Sequence, residues 1–212
     1  MIYTAVEQRC AVSFGEMNLP IDTEKALSIL LSLPGFRLVQ SGFNPDCLNV
    51  IRELIGQAKY KRRARRDEAP NYFDCSSLTQ WFYGQLGVQL PRRSLQQFEQ
   101  IGHHVSPFAP FRYGDLLFSQ SSGHNYFRND PSFGVGHVAV VSGTNKVLQA
   151  TKEGVVERDI LSLFNPNFRG ARRVVKDPED FYVFDFSPDR EIMSSDDIYF
   201  LLLDQLKKAG WG

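Results

Sequence analysis

Apolar and polar residues follow a helical period over the first half of the chain and a strand period from Gly114 onward. Thr23 to Leu33 sets Ala26, Leu30 and Leu33 on one face and predicts a short helix, which Pro34-Gly35 breaks. Phe36 to Val39 reads as a short strand. Asn44-Pro45 is a helix start, with a capping Asn and Pro in the first turn. Leu48, Ile51, Ile55 and Ala58 continue an apolar face up to Tyr60. In residues 78–86, Leu78, Trp81, Phe82 and Leu86 recur at helical spacing, with Gly87 as the stop. Cys75 then falls in the first turn of that helix.

Past Gly114, Leu116 to Ser119, His137 to Ser142, Lys146 to Thr151 and Val155 to Arg158 predict short strands. Gly143-Thr144-Asn145 reads as a hairpin turn between the second and third. Ala171 to Val175 and Tyr182 to Phe186 add strands. Ser194 to Lys208 reads as a closing helix, with Ser194 or Ser195 as cap, Asp196 and Asp197 at its positive end, Lys207 and Lys208 at its negative end and Gly210 beyond. Helices followed by a run of strands predict an α+β fold with a central antiparallel sheet.

Composition narrows the function classes. The 212 residues suffice for one good core, and 42% hydrophobic content is that of a globular protein. Lys+Arg and Asp+Glu are equal at 24 each, so no global field selects a nucleic acid partner. The cationic run Lys59 to Arg66 reads as a solvated helix end and loop; attraction of carboxylate-rich substrates and contact with phosphates are its functional readings. Cys10, Cys47 and Cys75 are scattered and form neither a disulfide framework nor a metal cluster, and no cofactor is expected. The start MIYTAVEQRC lacks the basic and apolar regions of a secretory signal, and no stretch is a membrane span. The default expectation is a cytoplasmic chain, unless a non-standard route exports it.

The chemistry centres on three residues. A thiol at a helix start sits where the helix dipole favours thiolate, although a free cysteine there is also read as a small buried hydrophobe. A cysteine nucleophile needs a base, and the base needs an orienting group. His137 opens the strand HVAVVS, and the hairpin returns Gln149 to its neighbourhood. Gln149 can fix the imidazole tautomer without adding charge.

These residues and their flanks resemble the NlpC-type cell-wall peptidases, a family of papain-like cysteine peptidases. Asp74-Cys75-Ser76-Ser77-Leu78 is similar to the family's Asp-Cys-Ser-Gly-Leu motif. Leu90-Pro91-Arg92-Arg93-Ser94, the strand from Gly114 to Phe118, His137-Val138, Gln149-Ala150 and Arg172-Arg173-Val174 follow in the family's order. The resemblance spans residues from about 45 to 175. It implies a peptidase domain over 44–176, an N-terminal extension over 1–43 and a C-terminal strand and helix over 177–212. It also implies Cys75 as nucleophile, His137 as base and later acid, and Gln149 as the orienting group.

The implied oxyanion donors are the Cys75 N–H and a tyrosine hydroxyl, Tyr60, with Tyr72 as competitor. Asp74 and Ser76 are implied to contact a substrate amino group, or Asp74 simply caps the helix. The implied substrates are peptidoglycan stem peptides, cut at the γ-D-glutamyl–diamino acid bond. An effector-type amidase or acyltransferase and a non-catalytic wall-fragment binder are the alternatives. Ser77 departs from the family's Gly, and the cationic run replaces its aromatic-glycine stretch. The loop from Ser119 to Gly136, with His124, Tyr126, Phe127 and Arg128, reads as a cleft cover or a plain surface loop.

Overall fold

The structure, a computed structural model, describes residues 2–106, 108–121, 134–164 and 167–211. In chain order the elements are β1 (Arg9–Val12), α1 (Thr23–Ser32), β2 (Arg37–Ser41), α2 (Asn49–Arg52), β3 (Lys59–Tyr60), β4 (Tyr72–Phe73), α3 (Cys75–Gln85) and α4 (Ser94–Gln100). Then come β5 (His103–Val105), β6 (Leu116–Ser119), β7 (His137–Gly143), β8 (Lys146–Thr151), β9 (Gly154–Asp159), β10 (Phe168–Arg173), β11 (Tyr182–Asp185) and α5 (Ser195–Lys208). The chain divides into two compact units: Met1–Phe43, Tyr83–Gln89 and Asp177–Gly212 form one, and Asn44–Phe82 with Leu90–Lys176 the other.

The first unit is an antiparallel sheet in the order β1-β11-β2, with α1 and α5 contributing to its core. Leu30, Phe184, Ile198 and Leu202 are wholly buried there, each stabilising by about 1.5–3 kcal/mol. Asp22 caps α1 by accepting from the Lys25 N–H. Ser194 and Asp197 form a reciprocal capping box on α5. The segments expected as separate N- and C-terminal extensions thus build one sheet and one core.

The second unit carries a six-stranded antiparallel sheet in the order β5-β10-β6-β7-β8-β9. Leu117, Ala139, Val147 and Ala171 belong to a buried cluster on it, as alternation along each strand requires. Asp115, at 1% exposure, accepts two bonds from Arg173, at 2.8 and 2.7 Å, and fixes the entry to β6. Gly154 opens β9 at φ 101, where an added Cβ would lie 2.5 Å from the Ala58 carbonyl. That close approach seats the segment leading to Tyr60 against the sheet edge.

Two expectations change. The helix expected from Asn44 to Tyr60 is only a 3-10 turn, Pro45–Leu48, followed by the single turn of α2. Asn44 caps it as expected, but Gly56 adopts φ 77 and Ile55 is 42% exposed, so the apolar face is interrupted. Beyond it Lys59–Tyr60 pairs in parallel with Tyr72–Phe73, so the cationic run begins in a strand and not in a helix end. His103 and His104 are exposed, within edge strand β5.

Candidate active site

The site grows from the turn between β4 and α3. Asp74 accepts from the Ser77 N–H at 2.8 Å, and the Ser77 hydroxyl accepts from the Asp74 N–H at 2.9 Å. This reciprocal cap pins the backbone on both sides of Cys75. Ser77, which departs from the family motif, is thus half of the cap. Arg92 grips Asp74 with both terminal nitrogens, at 3.1 and 2.6 Å, and donates to the Ser76 hydroxyl at 3.0 Å. Ser76 itself donates to Asp74 at 3.3 Å. The carboxylate is therefore fully engaged by its own chain, in the arrangement of a cap and a bidentate ion pair.

Cys75 is the first residue of α3 and only 9% exposed. Its Sγ lies 3.9 Å from the carbonyl oxygen of Gly136, and the backbone N–H groups of Val138 and Ser76 act on it electrostatically. Gly136 and Val138 flank His137, so the sulfur rests against the start of β7. The expectation of a thiol lowered by the helix start is corrected here. Burial first, then the adjacent Asp74 charge, push the thiol up to about 11; the two N–H groups and Arg92 pull the other way with less effect.

His137 is half-buried, and its Nε2 lies 2.6 Å from Gln149 Oε1. The register explains the meeting: Val140 stands opposite Leu148, so Gln149 is diagonal to His137 on the same face. An amide oxygen only accepts, so Nε2 carries the proton and Nδ1 keeps its lone pair. Burial lowers the His137 pKa below the ordinary histidine value, and the bond to Gln149 partly restores it. Both shifts run toward the uncharged thiol and imidazole and against the ion pair.

Tyr60 sits beside Phe73 in the β3–β4 pair. Partial burial, and then the charges of Cys75 and Asp74, raise its hydroxyl above the usual phenol range, with Arg62 opposing. Tyr60 thus lies within electrostatic reach of the nucleophile. The competitor Tyr72 is 40% exposed and stacks under Lys61 Nζ, 5.8 Å from its ring centroid.

Sequence reasoning did not single out Arg92 or Gln97 as site residues, although both lie in the LPRRSLQQ stretch. Gln97, wholly buried, donates to the Ser76 and Pro91 carbonyls at 3.0 and 2.8 Å and accepts from the Thr79 hydroxyl at 2.8 Å. It locks the first turn of α3 to the strand-free segment before α4. A polar pair five and six positions beyond Pro91 was the available signal, but it specifies no partner. His124, Tyr126, Phe127 and Arg128 lie outside the described residues. Among the described residues no group of three His, Cys, Asp or Glu side chains could hold a metal.

Residues 58–173 match the NlpC/P60 family. A gamma-DL-glutamyl hydrolase of Bacillus subtilis is 33% identical over 104 residues, 48% of this chain and 23% of that protein. A probable endopeptidase of Corynebacterium glutamicum is 36% identical over 81 residues, 38% of this chain and 32% of that protein. The matched stretch thus spans a third or less of the length of these relatives. Among solved structures, NlpC2 from Trichomonas vaginalis superposes with a TM-score of 0.51 at 22% identity, over 65% of this chain and 48% of that one. A family protein from Bacillus cereus gives 0.50 at 17% identity, over 82% and 63%. These two share the fold. With more than half of its residues in the family match, the chain belongs to the NlpC/P60 family, within the papain-like cysteine peptidases.

Proposed function

We propose that this protein is a cysteine peptidase that hydrolyses an amide bond of peptidoglycan stem peptides, at the γ-D-glutamyl–diamino acid linkage. The observation that carries the reading is the seating of the Cys75 sulfur against the backbone next to His137, 3.9 Å from the Gly136 oxygen, with the His137 ring held by Gln149. The γ-glutamyl preference draws support from the Bacillus subtilis relative, which is by name a gamma-DL-glutamyl hydrolase.

The thiol passes its proton to His137 Nδ1 as the sulfur attacks the scissile carbonyl. The oxyanion takes hydrogen bonds from the Cys75 N–H and the Tyr60 hydroxyl. As the C–N bond breaks, His137 returns the proton to the leaving amine, and a thioester remains on Cys75. Water, deprotonated by His137, attacks the thioester, and the thiol leaves with that proton. Asp74 and Ser76 act in this reading on the nucleophile's own turn, held by Arg92.

Mass spectrometry of defined muropeptides incubated with the protein tests the assignment. The expected products are a fragment ending in glutamate with a free γ-carboxylate and a fragment beginning at the free amine of the diamino acid. Failure to cut any muropeptide rejects the substrate class and leaves an amidase of other substrates or a wall-fragment binder.

A further inference from the structure

The segment from Lys59 to Arg66 carries a cation at every position except Tyr60 and Ala64, and the mechanism uses none of them. Arg65 pairs with Asp67 at 2.9 Å, and Lys61 pairs with Glu68. Arg62 and Arg63 are exposed, and Arg63 stands at φ 60, a conformation uncommon for a long side chain. The loop is nonetheless anchored: Ala64 is wholly buried, and its carbonyl accepts from Arg92 Nη2 at 2.6 Å. The same nitrogen donates to Asp74, the residue before Cys75. The cationic loop is thus tied to the cap of the nucleophile, and Arg62 acts electrostatically on Tyr60. Asp74 pairs with Arg92, which offsets its charge at Cys75 only in part, so the excess of positive charge at this edge comes from the Lys59 to Arg66 segment itself, whose six cations face only Asp67 and Glu68 nearby in sequence.

We propose that the Lys61 to Arg66 loop makes the site selective for anionic peptides, those whose branch carboxyls are free carboxylates and not carboxamides. The inference rests on the peptidase reading above. A γ-linked glutamyl residue leaves its α-carboxyl off the main chain, close to the scissile bond, and a diamino acid that is also a dicarboxylic acid carries a further carboxyl. Each is an anion when free and neutral when amidated, at nearly the same size. Shape therefore cannot separate the two forms, whereas the arginine edge separates them by charge.

The test uses the full chain and two synthetic stem peptides that differ only in a carboxylate or carboxamide at the glutamyl α-position. At low ionic strength, kcat/KM should favour the carboxylate roughly three- to tenfold, the range of a few exposed charge contacts. The preference should shrink as salt is raised toward about 0.5 M, where the screening length falls to a few ångströms. The double variant Arg62→Glu/Arg63→Glu alters only exposed side chains and should invert the order. Equal rates at low salt, or a preference indifferent to salt and to charge reversal, would overturn the proposal and leave the peptidase reading standing. Cleavage of neither peptide would overturn both.

Discussion

Replacing Gln149 by leucine tests the relay at its least obvious member. Gln149 is 3% exposed, so its own side of the contact offers no water to replace Oε1. A buried N–H left unpaired costs about 1–3 kcal/mol. The ring can escape that cost by moving its proton to Nδ1, which removes the lone pair that takes the thiol proton. Either route penalises the productive tautomer by about 1–3 kcal/mol, equivalent to about 5- to 150-fold in kcat/KM. His137 is only half-buried, so water on its open side recovers part of this, and a loss of about tenfold is expected. The pH profile adds a sign. Burial lowers His137 and the Gln149 bond raises it, so Gln149→Leu moves the acid limb of kcat/KM to lower pH. Gln149→Glu places a negative charge beside the imidazolium and moves that limb to higher pH. The assay is muropeptide hydrolysis read from pH 4 to 9 by liquid chromatography, about a half unit apart. Limbs that shift together, or a Gln149→Leu rate equal to wild type, would refute the relay.

Tyr60→Phe removes an oxyanion donor and should lower kcat about a hundredfold with little change in KM, whereas Tyr72→Phe should be silent; the reverse order in steady-state kinetics would move the role to Tyr72. Arg92→Ala strips a bidentate partner from Asp74, whose side chain is 12% exposed, while Arg92 itself is 37% exposed. We expect about 2–3 kcal/mol lost in urea unfolding, below the full cost of breaking a buried pair, and a Cys75 thiol displaced further upward, read from the pH dependence of alkylation. Asp115→Ala leaves the Arg173 guanidinium, 17% exposed, without its carboxylate, and should cost about 3–5 kcal/mol, seen as a lower thermal midpoint; an unchanged midpoint would deny Asp115 its structural role.

The parts of this fold that announced themselves were those specified locally. Helix α1 has its Asp22 cap, α5 its Ser194–Asp197 box, and the β7–β8 hairpin its Asn145 at φ 58. Each of these is set by residues within one or two turns. What stayed hidden depends on distant partners. Strand β1 pairs Arg9 with Asp185, and the two-residue β3 exists only because Tyr72–Phe73 lies beside it. The apolar spacing from Leu48 to Ala58 imitated a helix that Gly56 and the strand pairing at Lys59 preclude. The site divided in the same way. The meeting of Cys75, His137 and Gln149 in one place was legible from motif order and hairpin spacing. The thiol's environment was not, because a helix start says nothing of the burial that dominates it. The Arg92 clamp and the Gln97 lock escaped notice because a sequence shows that a polar residue is present but not which carbonyl or carboxylate it reaches.

The central claim is that the Cys75 sulfur does the chemistry. Its most direct measurement is the initial rate of stem-peptide hydrolysis by Cys75→Ala against wild type, at equal concentration and with matched unfolding curves. The account predicts a loss of more than about a thousandfold, the scale on which removing a nucleophile acts. Hydrolysis by Cys75→Ala at a rate near that of wild type would contradict it.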